Sequence, residues 1–194
     1  MGSALVKKSI GKVPPSLETL FDDPPLIGGE KREDYEKLLS LIAAAINPRD
    51  EVVWVLARDF ADLSWEIRRE RKYKVQIIKL EELKSKSKLL SPARPSLLEI
   101  PQMPPTTDKL AELWSADAET LQIMDNKLAK KGFDASFVMT QALKQASPQI
   151  EAIDRRIGNY ELRRMAVLKT IEQYSEASAR RLADVIEGEF TEEE

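Results

Sequence analysis

NPRDEVVWVLARDFADLSWEIRRERKYKVQIIKLEELKSKSK, residues 47–88, decides the fold. Asn47 is a good N-cap, Pro48 suits the first helical position, and Asp50 and Glu51 place negative charge in the first turn. Val52, Leu56, Leu63, Ile67 and Ile78 then recur at roughly helical spacing, with Phe60 on the same side. The run VVWV at 52–55 is β-branched and could pass for a buried strand, yet neither Gly nor Pro follows it before Lys88. The spacing therefore predicts one helix over 48–88, a rod about 60 Å long. A rod of that length requires a partner helix along most of its surface.

The partner is predicted near the other end of the chain. Ser147-Pro148 repeats the start signal of Asn47-Pro48, and a helix is expected over 148–187. Ile150, Ile153, Ile157, Tyr160, Leu168, Ile171, Tyr174 and Leu182 follow in steps of three and four, close to a heptad seam, with Arg164 at a position that calls for an apolar residue. Working outward, Tyr35, Leu38, Leu39, Ile42 and Ile46 trace the stripe of a shorter helix ahead of Asn47. Pro14-Pro15 and Pro24-Pro25 mark residues 1–30 as a flexible N-terminal arm or an extended strap, with Leu17, Leu20 and Phe21 as an apolar cluster able to dock on the protein's own body or on a partner. Residues 89–106 form a Pro-rich connector, 107–146 hold short helices, and 188–194 are an acidic tail. The expected architecture is all-α: a single helical domain over 31–187, with two long helices in a coiled-coil-like stalk and shorter helices packed on it.

Composition narrows the chemistry. The 194 residues are 42% hydrophobic and 32% charged with only seven glycines, a mix that suits long helices. Neither cysteine nor histidine occurs, so thiolate chemistry, Cys and His metal sites, Ser-His-Asp triads and histidine acid–base catalysis are all excluded. A formal charge of −3 gives no global argument for nucleic acid or membrane. No signal-peptide pattern or membrane-length apolar run appears, and Val6 stands where a myristoylation signal needs Ser or Thr. The expectation is a cytoplasmic protein without cofactor.

Three charged constellations carry the functional reading. Asp59, Asp62 and Glu66 fall at offsets of three and four on the first long helix, beside Trp65 and Arg69. Arg155, Glu161 and Arg164 lie on the second, together with Asp154, Arg156 and Arg163. Should the bands meet, carboxylates and guanidinium groups form a polar interhelical network that fixes register more than it adds stability. The alternatives are solvated faces with local pairs, or a Mg²⁺ held by the three carboxylates. No nucleophile or phosphate loop accompanies them, so catalysis is not expected. The third constellation is the basic stretch from Arg68 to Lys88, where Arg68, Arg69, Arg71, Lys72, Lys74 and Lys79 are candidate nucleic-acid contacts along a phosphate backbone.

The segments PPLIGGEKREDYEKLL, INPRDEVVWVLARDFADLSWEIRRERKYK and IDRRIGNYELRRMAVLKTIE together resemble a family of short bacterial proteins of uncharacterised activity. The resemblance rests on Pro24, Pro25 and Leu26, on Arg58, Asp59, Asp62, Leu63, Trp65 and Glu66, and on Asp154, Arg155, Glu161, Arg163 and Arg164. It implies no activity, but it does imply that the two polar bands belong together. The expected function is a non-enzymatic helical interaction or assembly module, self-associating through its long helices or binding another helical protein. A nucleic-acid-associated protein using 68–88 is the second reading.

Overall fold

The computed structural model describes residues 13–90, 114 and 116–191, with side chains described as far as 177. Among the described residues every regular element is helical: a 3-10 turn at Pro15–Leu17, then α1 (Glu18–Asp22), α2 (Arg32–Ile46), α3 (Glu51–Leu90), α4 (Ala118–Lys130) and α5 (Ala135–Thr191). The VVWV run is helical, which leaves the strand alternative without support. Most of the Pro-rich connector and of the first short helix predicted after it, and the last residues of the acidic tail, lie outside the described residues.

The sequence predicts that the Asn47-Pro48 join both ends the shorter helix and starts the long one, and only the first holds. Asn47 ends α2. Its φ of 52° is left-handed, and its N–H donates to Ala43 O at 2.8 Å. Asparagine tolerates that conformation better than most residues, which makes it a fitting C-cap. The N-cap role passes to Asp50, whose carboxylate accepts from Val53 N–H at 3.0 Å, so the helix starts at Glu51 rather than at 48.

The second start signal also reads differently. The separate helices predicted up to 146 and from 148 are one continuous α5, which begins at Ala135 and carries Pro148 inside it. Asp134 caps its start by accepting from Phe137 N–H at 2.7 Å. Upstream, Asp117 caps α4 by accepting from Thr120 N–H. Gly132, at φ +84°, closes α4 with Gly132 N–H to Ala129 O and Phe133 N–H to Leu128 O, the paired bonds of a left-handed helix stop.

The sequence reading put 31–187 in one domain; the chain divides into two compact units, and both long helices contribute to each. The first holds residues 1–69 and 157–194. There α3 is buried on two sides. Trp54, Ala61 and Trp65 turn one side toward α2, where Tyr35, Leu39, Ala61 and Trp65 form the core cluster, with Phe21, Leu26, Leu38 and Ile42 packed on it. Val53, Leu63 and Ile67 are buried elsewhere around the helix, and Phe60 lies under the Arg164 guanidinium of α5 at 5.8 Å. Ala57 and Ala61 have no exposed surface, and their small side chains let neighbouring helices approach closely.

The second unit holds residues 70–156. Val138, Ala142, Ala146 and Ile153 form the buried stripe of α5, and Leu83 and Leu128 bury the facing sides of α3 and α4. Arg156 bonds Glu70 while Lys74 bonds Asp154, so α5 descends as α3 ascends and the pairing here is antiparallel. Lys86 joins α3 to α4 through Asp125 at 2.7 Å, and Lys131 Nζ donates to Leu89 O at 3.1 Å.

Continuity of α5 through Pro148 has a measurable consequence. A proline inside a helix removes one hydrogen bond and crowds the preceding turn, at about 3 kcal/mol. Pro148→Ala is therefore expected to raise the thermal midpoint in a melting experiment. A new helix starting at Pro148 would leave it unchanged or lower it.

Candidate functional site

The densest set of buried polar contacts joins α3 to the segment in front of α2, all within the first unit. Arg69 is its centre. The residue is 9% exposed. Its Nε and Nη2 donate to the two oxygens of Glu30 at 2.8 Å each, a bidentate pair. Nη1 donates to Glu66 Oε1 and Nη2 to the Pro25 carbonyl, both at 2.5 Å. Glu30 also accepts from Trp65 Nε1 at 2.9 Å and from the Ile27 N–H at 3.2 Å. The arrangement follows from helix geometry: Trp65, Glu66 and Arg69 lie within about one turn, so Trp65 and Arg69 converge on one loop while Glu66 braces Arg69 from the same helix.

One turn earlier a second group repeats the pattern. Tyr35 of α2 donates its hydroxyl to Asp62, and Arg58 lies 3.6 Å from the other carboxylate oxygen. Arg58 also donates to the Asp23 carbonyl at 2.9 Å and stacks on Phe21 at 5.7 Å. Phe21 meets Trp54 edge-on at 5.8 Å, and Ser16 donates to Glu51 at 2.5 Å. Arg32 on α2 reads one more main-chain oxygen, that of Asp22, at 3.0 Å. Residues 13–30 are thus a strap laid over α2 and α3, one of the two readings that the prolines allow. Of the two readings of Leu17, Leu20 and Phe21, docking on the protein's own body is the one seen for Phe21.

The electrostatics differ between the two groups. The Arg69 hydrogen bonds, aided by those from Trp65 and Ile27, hold Glu30 well below the usual carboxylate range, at about 2. Burial pushes Asp62 up, against the opposing effects of Tyr35 and Arg58, and burial with the Asp62 hydrogen bond pushes the Tyr35 hydroxyl up. Glu30 is a fixed anion, whereas Asp62 is a strained one.

Within the expected polar band of the first long helix, Asp62 and Glu66 bond Tyr35, Arg58 and Arg69, and Asp59 is exposed. Asp62 is held by Tyr35 of α2 together with Arg58 four residues earlier on its own helix, and Glu66 by Arg69 three residues later. They point to different partners, and among the described residues no group of acidic side chains could hold a metal ion. On α5, Arg155 is exposed, Glu161 is half-buried, and Arg164 contacts the Phe60 ring. Two ion pairs seen to cross from α5 to α3, Arg156–Glu70 and Lys74–Asp154, lie in the second unit. Glu30 was missed by sequence reasoning. Its one signal was the adjacency of Pro24, Pro25 and Leu26 to the Arg58–Glu66 helix in the segments that carry the family resemblance, and those two pieces do meet at Pro25 and Arg69.

The basic stretch is less available than its composition suggests. Arg69 is buried and Lys74 is tied to Asp154. Arg68, Arg71, Lys72 and Lys79 are exposed, with Arg68 over the Trp65 ring at 5.2 Å and Lys79 over Trp114 at 5.1 Å. A cavity of about 390 Å³ in the second unit is lined by Tyr73, Gln76, Ile77, Leu80, Trp114 and Ile153. Its one charged member, Arg156, bonds Glu70, so its guanidinium is already engaged within the unit.

No helix among the described residues is long and apolar enough to cross a membrane. No protein-family model, no curated protein and no solved structure matches the chain.

Two outcomes test this site. Glu30 has a folded pKa of about 2 against an ordinary 4.5, so its contribution to stability is present above pH 4.5 and is lost as pH falls toward 2. Glu30→Gln is expected to flatten that acid limb in denaturation curves taken across the window; an unchanged limb would show that Glu30 is not held by Arg69. Asp62→Ala strands Tyr35 and Arg58 and is expected to lose about 2–3 kcal/mol. Arg164→Ala, at a half-exposed ring contact, is expected to lose only about 0.5–1 kcal/mol. Equal losses in chemical denaturation would contradict this assignment of the network.

Proposed function

We infer that the chain is a non-enzymatic helical module that assembles with copies of itself through a long helix. The absence of cysteine and histidine supports a role outside catalysis, because histidine is the commonest general acid or base and cysteine a common nucleophile. The observation that carries the reading is on α5, where Leu162 is 72% and Met165 60% exposed, adjacent on one side of the helix. Paired apolar side chains at this exposure lose nothing by packing on a second helix and gain the burial of two large groups.

The seam expected to mediate association is used differently. Ile171 is buried, and Ile157 and Leu168 are half-buried, so these residues pack within the chain. Leu162 lies on the opposite side of the helix from Ile171, since nine residues rotate it by about 180°. The face left for a partner is thus the one the heptad pattern assigned to solvent.

Self-association is expected to appear in sedimentation equilibrium as a concentration-dependent rise in mass. The double variant Leu162→Glu with Met165→Glu is expected to abolish it without changing the helical circular dichroism. A wild-type chain that stays monomeric at every concentration would overturn the reading. Association that survives both glutamates would move it off this face. If added DNA or RNA shifts at low salt, and the shift weakens steeply as salt rises, the basic stretch rather than α5 carries the function.

A further inference from the structure

The strap and the surface beneath it have the chemistry of a peptide and its docking groove. Arg58, Arg69 and Arg32 donate to the main-chain oxygens of Asp23, Pro25 and Asp22. One aromatic anchor, Phe21, fits between Trp54 and the Arg58 guanidinium. Leu26 packs on the Tyr35–Trp65 cluster. Recognition of this kind reads the main-chain oxygens of residues 22–25 and one apolar anchor presented by the short helix α1. It does not depend on which chain supplies the peptide.

The strap is anchored at Phe21, Leu26 and its three arginine-bonded carbonyls, and three features favour its exchange as a unit. None of the residues in the 3-10 turn or α1 is fully buried, and Leu20 is 41% exposed. Segments with so little buried apolar surface open at small cost compared with the core. Arg58 keeps one Nη1 buried and without a partner, so the strap in its present place leaves a donor of the groove unused. The link to α2 is a β-turn over Ile27–Glu30, closed by Glu30 N–H to Ile27 O at 3.1 Å, with Gly29 at φ +81°. A side chain added at Gly28 or Gly29 would meet no neighbouring atom within 4 Å. The turn is open to solvent on the side where a hinge must move.

We propose that residues 13–27 exchange between two copies of the chain, each strap docking in the α2–α3 groove of the other, with Gly28-Gly29 as the hinge. The occupant is the strap of a second copy because that is the one peptide whose fit to this groove is seen. Glu30, beyond the hinge, stays on its own Arg69, so the clamp is complete whether Pro25 comes from the same chain or from a partner. This inference rests on self-association of the chain, but not on which face of α5 contributes to it.

The absence of cysteine gives a clean test in the full-length protein. Ser16 and Glu51 are both exposed and touch across the groove. Ser16→Cys and Glu51→Cys chains are prepared separately, mixed at a concentration where the chain is associated, and treated with a short bis-maleimide. A covalent heterodimer of intermediate mass forms only when the strap of one copy lies on α3 of another, and that is the expected product. Gly29→Ala strains the positive-φ turn and is expected to raise the heterodimer yield several-fold. Gly28→Ala, where no positive φ is required, is expected to leave it unchanged. A chain that associates but gives no heterodimer, with or without Gly29→Ala, overturns strap exchange and leaves self-association standing. A chain that never associates overturns both.

Discussion

The Arg69–Glu30 pair is the contact on which the first unit depends. A guanidinium that is nine-tenths buried must have its charge matched in place, because leaving it unpaired would be destabilising by about 3–5 kcal/mol. Glu30 supplies the match in bidentate geometry, and Trp65, Ile27 and Pro25 complete the bonding around both ions. The consequence is positional. Residue 30 is fixed against residue 69, which fixes the end of the strap, the start of α2, and the angle at which the Tyr35–Leu39 face meets Ala61 and Trp65. Burial of the aromatic cluster supplies the stability, while the clamp selects which packing is reached.

Helix α3 shows how a charged sequence can still be an interior element. Its residues between 51 and 69 bury one side with aromatics and alanines, another with Val53, Leu63 and Ile67, and the polar positions between are consumed by arginine contacts. The functional reading follows from what remains. Arg69, Glu30, Asp62 and Glu70 are spent inside the units, and Ile157, Leu168 and Ile171 are folded inward. Leu162 and Met165 stand out as an exposed apolar pair one turn apart, beside single exposed groups such as Leu41 and Val75, and the 3-10 turn and α1 of the strap contain no buried residue.

Much of the fold was legible because it rests on local chemistry. The spacing of Leu56, Leu63 and Ile67 specifies α3, Tyr35 to Ile46 specifies α2, and Gly132 stops α4 where a left-handed residue is needed. The errors came where two local signals were compatible with one sequence. Asn47 serves either helix end, and tertiary packing chose the C-cap, with Asp50 available as the better N-cap. Ser147-Pro148 has the form of a helix start, yet Ala142, Ala146 and Ile153 share one buried stripe that carries the helix through the proline. The site was only half legible. Asp62, Glu66 and Arg69 were identified by spacing, but spacing along one helix cannot say which neighbour the side chains face. Glu30 lies 39 residues from Arg69, and no periodicity links a loop carboxylate to a helix guanidinium at that separation.

The central claim is that the Arg69–Glu30 clamp is a strongly coupled buried pair. A double-mutant cycle measures it most directly, with Arg69→Met, Glu30→Gln and the two together followed by urea denaturation. The account predicts a coupling energy above about 1.5 kcal/mol, with the double variant recovering much of what either single change loses. A coupling below about 0.5 kcal/mol, the range of an exposed pair, would contradict it.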